Sequence, residues 1–121
     1  RVAITRVASL ADAAKAFDAR QPIGYDDAMR DIVGATTGKA IVVEGDVVDA
    51  RESGHRTLVL VDDHRGCAKG PCLARIVVGR DLTLAHGESL AAYGSVARAY
   101  RTPLGQTVPE VEAEFVLRAK R

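Results

Sequence analysis

The stretch from Gly38 to Gly66 constrains the fold more than any other part of the chain. Ile41, Val43, Gly45 and Val47 fall on one face of an alternating run, and Val42, Glu44, Asp46 and Val48 on the other. Period two with one apolar face is the signature of a half-buried strand. Gly45 stands where a side chain would otherwise project, and a glycine inside a strand marks a bend, a bulge or a close backbone approach. Ser53-Gly54 then turns the chain, and Thr57 to Val61 returns as a second strand. A bent first strand suits a small barrel, where that strand must pair along both of its edges.

Three more strands are expected. Leu73 to Val78 is apolar and β-branched, and Ser89 to about Tyr100 repeats the mid-strand glycine at Gly94. Thr102-Pro103-Leu104-Gly105-Gln106 reads as a turn, with proline presetting φ. In the last strand Val111, Ala113, Phe115, Leu117 and Ala119 should face inward, and Glu112, Glu114, Arg118 and Lys120 outward. Ahead of the strands, Ser9 is placed to cap a helix with Leu10, Ala13, Ala14 and Phe17 on one face. Gln21-Pro22-Ile23-Gly24 ends it. A second helix is expected from Asp26 to about Val33, with Asp26 and Asp27 at the positive end of its dipole and Gly34 as its stop.

The expected organisation is therefore mainly β: an N-terminal helical segment over residues 1–37 and a five-stranded Greek-key barrel of the OB type over residues 38–121. Sandwiches use more strands, and a parallel sheet interleaves helices between strands. A chain of 121 residues with 47% hydrophobic content supports one core, whereas two cores would each be too small. Its 17 Lys+Arg are spread among 16 Asp+Glu, for a net charge of +1, so no basic field recruits nucleic acid or an anionic membrane by charge alone. No apolar run approaches the roughly 18 residues of a membrane span.

Gly38-Lys39 followed by Val43-x-Gly45-x-Val47, then Leu60-x-Asp62-Asp63-x-x-Gly66, then Gly87-Glu88-x-Leu90-x-x-Tyr93-Gly94-x-Val96 resembles the bacterial OB-fold pattern. The chain is similar in this to the tRNA-anti-like and periplasmic bacterial OB-fold proteins, over about residues 38–120. The resemblance implies a five-stranded barrel and carries over no catalytic residue. The chain departs from the pattern where the helix between strands three and four is reduced to at most a turn. The N-terminal helices are expected to plug the barrel end which that helix would cover.

Cys67 and Cys72 are the only two cysteines. Gly70-Pro71 can turn the chain back between them, and a disulfide closing so short a loop stabilises by roughly 2 kcal/mol in the chain-entropy model. It also implies an oxidising compartment. The chain begins at Arg1 rather than Met, which fits either a trimmed sequence or a removed leader. The expected location is periplasmic or secreted, or cytoplasmic if both thiols are free.

Little in the sequence points to catalysis. Asp26/Asp27 and Asp62/Asp63 are adjacent pairs whose side chains diverge, a poor arrangement for acid–base work. His64, Cys67 and Cys72, with Asp62, Asp63 or His86, form one cluster where zinc sites show paired ligands twice over. The cysteine spacing is not that of thiol oxidoreductases. No enzyme, metal or cofactor is expected.

The ligand-binding candidates are His64, Arg65 and Lys69 in the enlarged loop, with Arg56, Arg98 and Arg101. Single-strand binders join a positive groove to aromatic platforms. Arg51 and Arg75 extend the candidate cations, but the aromatics are only Phe17, Phe115, Tyr25, Tyr93 and Tyr100, and both phenylalanines sit on apolar faces expected in the core. The favoured function is a non-enzymatic binding module of an exported bacterial protein, taking a protein, peptide or small molecule and compatible with a homo-oligomer. The alternative is a single-stranded nucleic-acid-binding OB-fold protein.

Overall fold

Two long strands, β1 (Ala40–Ser53) and β4 (Ser89–Arg101), bend at glycine, and the barrel closes through them. A computed structural model describes residues 7–30, 34, 36–63 and 71–118. β1 pairs with β4 through its first half and with β2 (Arg56–Asp62) through its second. A Cβ on Gly45 would stand 2.1 Å from the Asp62 carbonyl oxygen, and one on Gly94 would stand 2.0 Å from that of Glu112. Both positions therefore require glycine for close backbone approach rather than for φ.

β3 (Leu73–Val78) pairs antiparallel with β2 and parallel with β5 (Thr107–Arg118), which pairs antiparallel with β4. The closed order is β1-β2-β3-β5-β4. Ile41, Val43, Val47, Val59, Val61, Ile76, Val96 and Val111 fill the interior and are all buried. β-branched residues of this kind fit a pleated, half-buried surface.

Three register shifts reset the alternation, one in the β1–β2 pairing and two in the β4–β5 pairing, the last of them between Val96 and Arg98. The register of β1 slips between Val47 and Asp49, so that Val48 is exposed and Ala50 packs on the core. In β5, Phe115 lies opposite Tyr93 while Ala113 lies opposite Gly94, leaving Glu114 as the extra residue. Inward positions then pass from Val111 to Val116, while Phe115 stacks outside the barrel on Tyr93. The expected inward set therefore fails at Phe115 and Leu117. A bulge adds one residue and reverses every face beyond it. Ala119 and Lys120 lie outside the described residues.

The two helices divide the roles expected of them jointly. α1 (Val7–Asp18) contains Ser9 within its length, so Ser9 is not its cap. It lies against the outer surface of β4 and β5, where Phe17 meets Tyr93 edge-on at 5.5 Å and Phe115 at 6.2 Å. Arg20 adds an ion pair to Glu114 at 2.9 Å. α2 (Tyr25–Arg30) is the plug: Tyr25 and Ala28 are buried within the interior cluster. Its expected continuation to Val33 lies outside the described residues.

The β3–β4 connection carries no helix. Thr57, buried at the start of β2, holds it instead. Its hydroxyl donates to the Arg80 carbonyl and accepts from the Leu82 amide, both at 2.8 Å. Leu82 and Leu84 then pack against the interior cluster.

Candidate functional site

On β2 and β3 the buried residues alternate with half-buried ones, so Leu58, Leu60, Leu73 and Arg75 form an outer face. The registers extend that face sideways. One row runs Asp49, Leu60, Arg75, Glu110 and Arg98 across β1, β2, β3, β5 and β4. The next row runs Arg51, Leu58, Val77 and Glu112. Tyr100, two residues beyond Arg98 on β4, completes the face on the side of the β4–β5 turn.

Arg75 places its guanidinium 4.0 Å from the centre of the Tyr100 ring. Its Nε also lies 3.6 Å from Glu110 Oε1, and Arg98 Nε donates to Glu110 Oε2 at 3.0 Å. Glu110 is buried and Arg75 largely so, while the Arg98 side chain is 71% exposed. One carboxylate thus serves two guanidiniums, and the cluster keeps a positive charge.

The remaining aromatics are committed elsewhere. Phe17, Tyr93 and Phe115 dock α1, with the Tyr93 and Phe115 rings stacked at 4.7 Å. Burial, with Glu44 and Asp18 nearby, raises the Tyr93 phenol above its ordinary range. Tyr25 plugs the barrel, and its phenol is also raised, by burial first and then by Asp26, Asp63 and Asp62. Tyr100 is the aromatic left on the outer face.

Two hollows lie outside the Arg75–Tyr100 cluster, the first of them sharing Glu112 with the outer face. A groove of about 900 Å³ separates α1 from the barrel and is lined by Phe17, Arg20, Arg80, Glu112 and Glu114 among others. A smaller one, about 330 Å³, lies beside α2 and is ringed by Asp26, Asp27, Glu44 and Asp63. Four carboxylates make that end repulsive to an anionic ligand. Among the described residues no group of three or more His, Cys, Asp or Glu is arranged to hold a metal ion.

Of the sequence-predicted candidates, Arg98 lies on the outer face, whereas Arg101, paired with Thr107 at the start of β5, is exposed at the end of β4 and falls on the side of Ala99 rather than that of Arg98 and Tyr100. Arg56 is exposed on the β1–β2 turn, at the opposite end of the face, because β5 runs parallel to β3. His64, Arg65, Lys69 and Cys67 lie outside the described residues; Cys72 is buried, and its amide donates to Asp62 Oδ1 at 2.9 Å. Arg51, Arg75 and Tyr100 were visible as residue types. Glu110 was not, because only the parallel β3–β5 register sets it beside Arg75.

No protein-family model matches the chain, and no curated protein matches it. Solved structures do. The asparaginyl-tRNA synthetase from Pyrococcus horikoshii is similar at a TM-score of 0.55 and 18% identity, over 81% of this chain and 23% of that one. The aspartyl tRNA synthetase from Entamoeba histolytica is similar at 0.53 and 16%, over 74% of this chain and 20% of that one. OBody AM3L09 bound to hen egg-white lysozyme is similar at 0.53 and 20%, over 74% of this chain and 89% of that one. The chain thus spans under a quarter of the length of either synthetase. At these identities the likeness concerns architecture, and the barrel is an OB fold.

Proposed function

We propose that this protein is a non-catalytic, single-stranded nucleic-acid-binding OB-fold domain, taking the strand across the outer face of β2, β3 and β5. The observation that carries the reading is the Arg75–Tyr100 stack beside Arg98. It joins an aromatic surface to guanidiniums on one open face, the pairing that single-strand binding uses. Leu58 and Leu60 add apolar area for bases, and Arg51 and Arg56 bring cations to the β1–β2 end. Two of the similar structures are tRNA synthetases, whose names state an RNA substrate. A near-neutral chain argued against such binding by overall charge, but a local positive cluster suffices to meet a phosphate backbone.

The test is fluorescence anisotropy with a labelled single-stranded RNA or DNA at low and rising salt. Binding should weaken with salt, because releasing condensed counterions gains less as the bulk salt rises, and duplex should compete poorly. Absence of binding at low salt would dismiss the reading.

A second reading is a protein-binding module of an exported bacterial protein, with Cys67 and Cys72 joined in a disulfide. The OBody bound to lysozyme is a barrel of this shape in complex with a protein. Thiol titration of the unfolded, unreduced chain separates the two settings: two free thiols remove the support for export.

A further inference from the structure

We propose that Glu110 is a positioning residue that holds Arg75 and Arg98 as a two-guanidinium clamp for a phosphodiester group. The inference rests on the strand-binding reading and goes beyond it by assigning the anion site and the residue that builds it.

The starting point is an oddity of burial. Glu110 lies on the outer face of β5, yet its side chain is only 6% exposed, and its Oε1 has no hydrogen-bond partner. A buried carboxylate oxygen without a donor is costly. A glutamate that served only to balance surface charge would sit better in water. What Glu110 does instead is contact two guanidiniums from two different strands, Arg75 of β3 and Arg98 of β4. The nearest atom of each is Nε. Contact through Nε uses the side edge of a guanidinium, so the end edge, formed by the two Nη nitrogens, is not taken up by Glu110. Tyr100 restrains Arg75 from the other side at 4.0 Å. The result is a pair of cations held at fixed positions with a single negative charge between them.

Phosphodiester is the ligand class that fits. The bidentate match of a guanidinium edge to phosphate oxygens is specific to planar or tetrahedral oxyanions. The half-buried Leu58, Leu60 and Tyr100 beside the cluster suit the bases of an unpaired strand, which a free phosphate would not use.

Simple charge counting and the clamp make opposite predictions. Removing a negative charge from the face should strengthen binding of a polyanion if Glu110 merely dilutes the arginines. It should weaken binding if Glu110 positions them. The probe is a labelled single-stranded RNA of roughly twelve nucleotides, within the site size of one OB fold. Glu110→Gln keeps the shape and should bind at least about fivefold more weakly. Arg98→Lys keeps the charge but removes the planar fork, and should lose affinity by a similar factor. The exposure of Arg98 makes that variant safe for folding even if Glu110→Gln proves unstable. Either variant binding as tightly as the wild type, or more tightly, would overturn the clamp alone. Failure of the wild type to bind would overturn the strand-binding reading and the clamp with it.

Discussion

The Arg75 guanidinium lies 4.0 Å over the Tyr100 ring, linking β3 to β4 across the intervening β5. The contact spans three strands, so it holds the ring at a fixed place on the outer face. If bases stack there, Tyr100→Ala should reduce affinity for a single strand by about 1–3 kcal/mol. Tyr100→Phe should retain it, because stacking uses the ring and not the hydroxyl. Anisotropy titrations of both variants, beside a thermal melt to confirm folding, provide the check. Equal affinity for the alanine variant and the wild type would exclude Tyr100 as a platform.

Gly94 and Gly45 mark where strands approach too closely for a Cβ. At Gly94 the added atom would meet the Glu112 carbonyl at 2.0 Å, a backbone atom that no side-chain rotation can move away. Gly94→Ala should therefore shift the β4–β5 pairing and destabilise the domain by at least about 1–3 kcal/mol, as overpacking does. Urea unfolding measures it. An alanine variant as stable as the wild type would show that the strands can separate there without loss.

These glycines also show how far the sequence could be read. The alternation around Gly45 and Gly94 announced bent strands and hence a barrel, because a missing side chain at an inward position is visible in one dimension. The Glu114 bulge was not visible. Its surroundings alternate as cleanly with it as without it, so Phe115 read as an inward residue when it lies outside, against Tyr93. The site suffered more, for the same reason. Tyr100, Arg75 and Glu110 come from three strands, and no local pattern encodes a parallel β3–β5 register. The arginines near the enlarged loop were conspicuous through proximity in sequence, which is a poor guide to proximity on a barrel.

Tyr25 gives the fold an alkaline limit. Burial first, then Asp26, Asp63 and Asp62, raise its phenol above the ordinary value of 10.0. The folded state therefore keeps this proton to higher pH than the unfolded chain does. Its contribution is fully present below the unfolded pKa and is lost as pH rises through the folded one. The free energy of unfolding should fall as pH rises above about 10. Tyr25→Phe, which has no proton to lose, should fall less steeply, leaving the part due to Tyr93. Urea titrations at several pH values test this, and parallel profiles would remove Tyr25 as the cause.

Phe17 is the anchor by which α1 holds the barrel. It is 3% exposed, yet it belongs to the aromatic cluster outside the barrel and not to the interior one. Its neighbours are Tyr93, Phe115 and the Arg20 guanidinium, 4.5 Å over its ring. Truncation should therefore separate two processes that a core mutation would couple. Phe17→Ala is expected to cost up to about 3–5 kcal/mol, spent mainly on release of α1, since the barrel interior keeps every residue it had. The Tyr93 phenol, now wetter, should titrate closer to its ordinary range. Hydrogen exchange should show protection lost over α1 and retained in β1, β2 and β3. Simultaneous loss of protection in those strands would mean that α1 and the barrel fold as one inseparable unit.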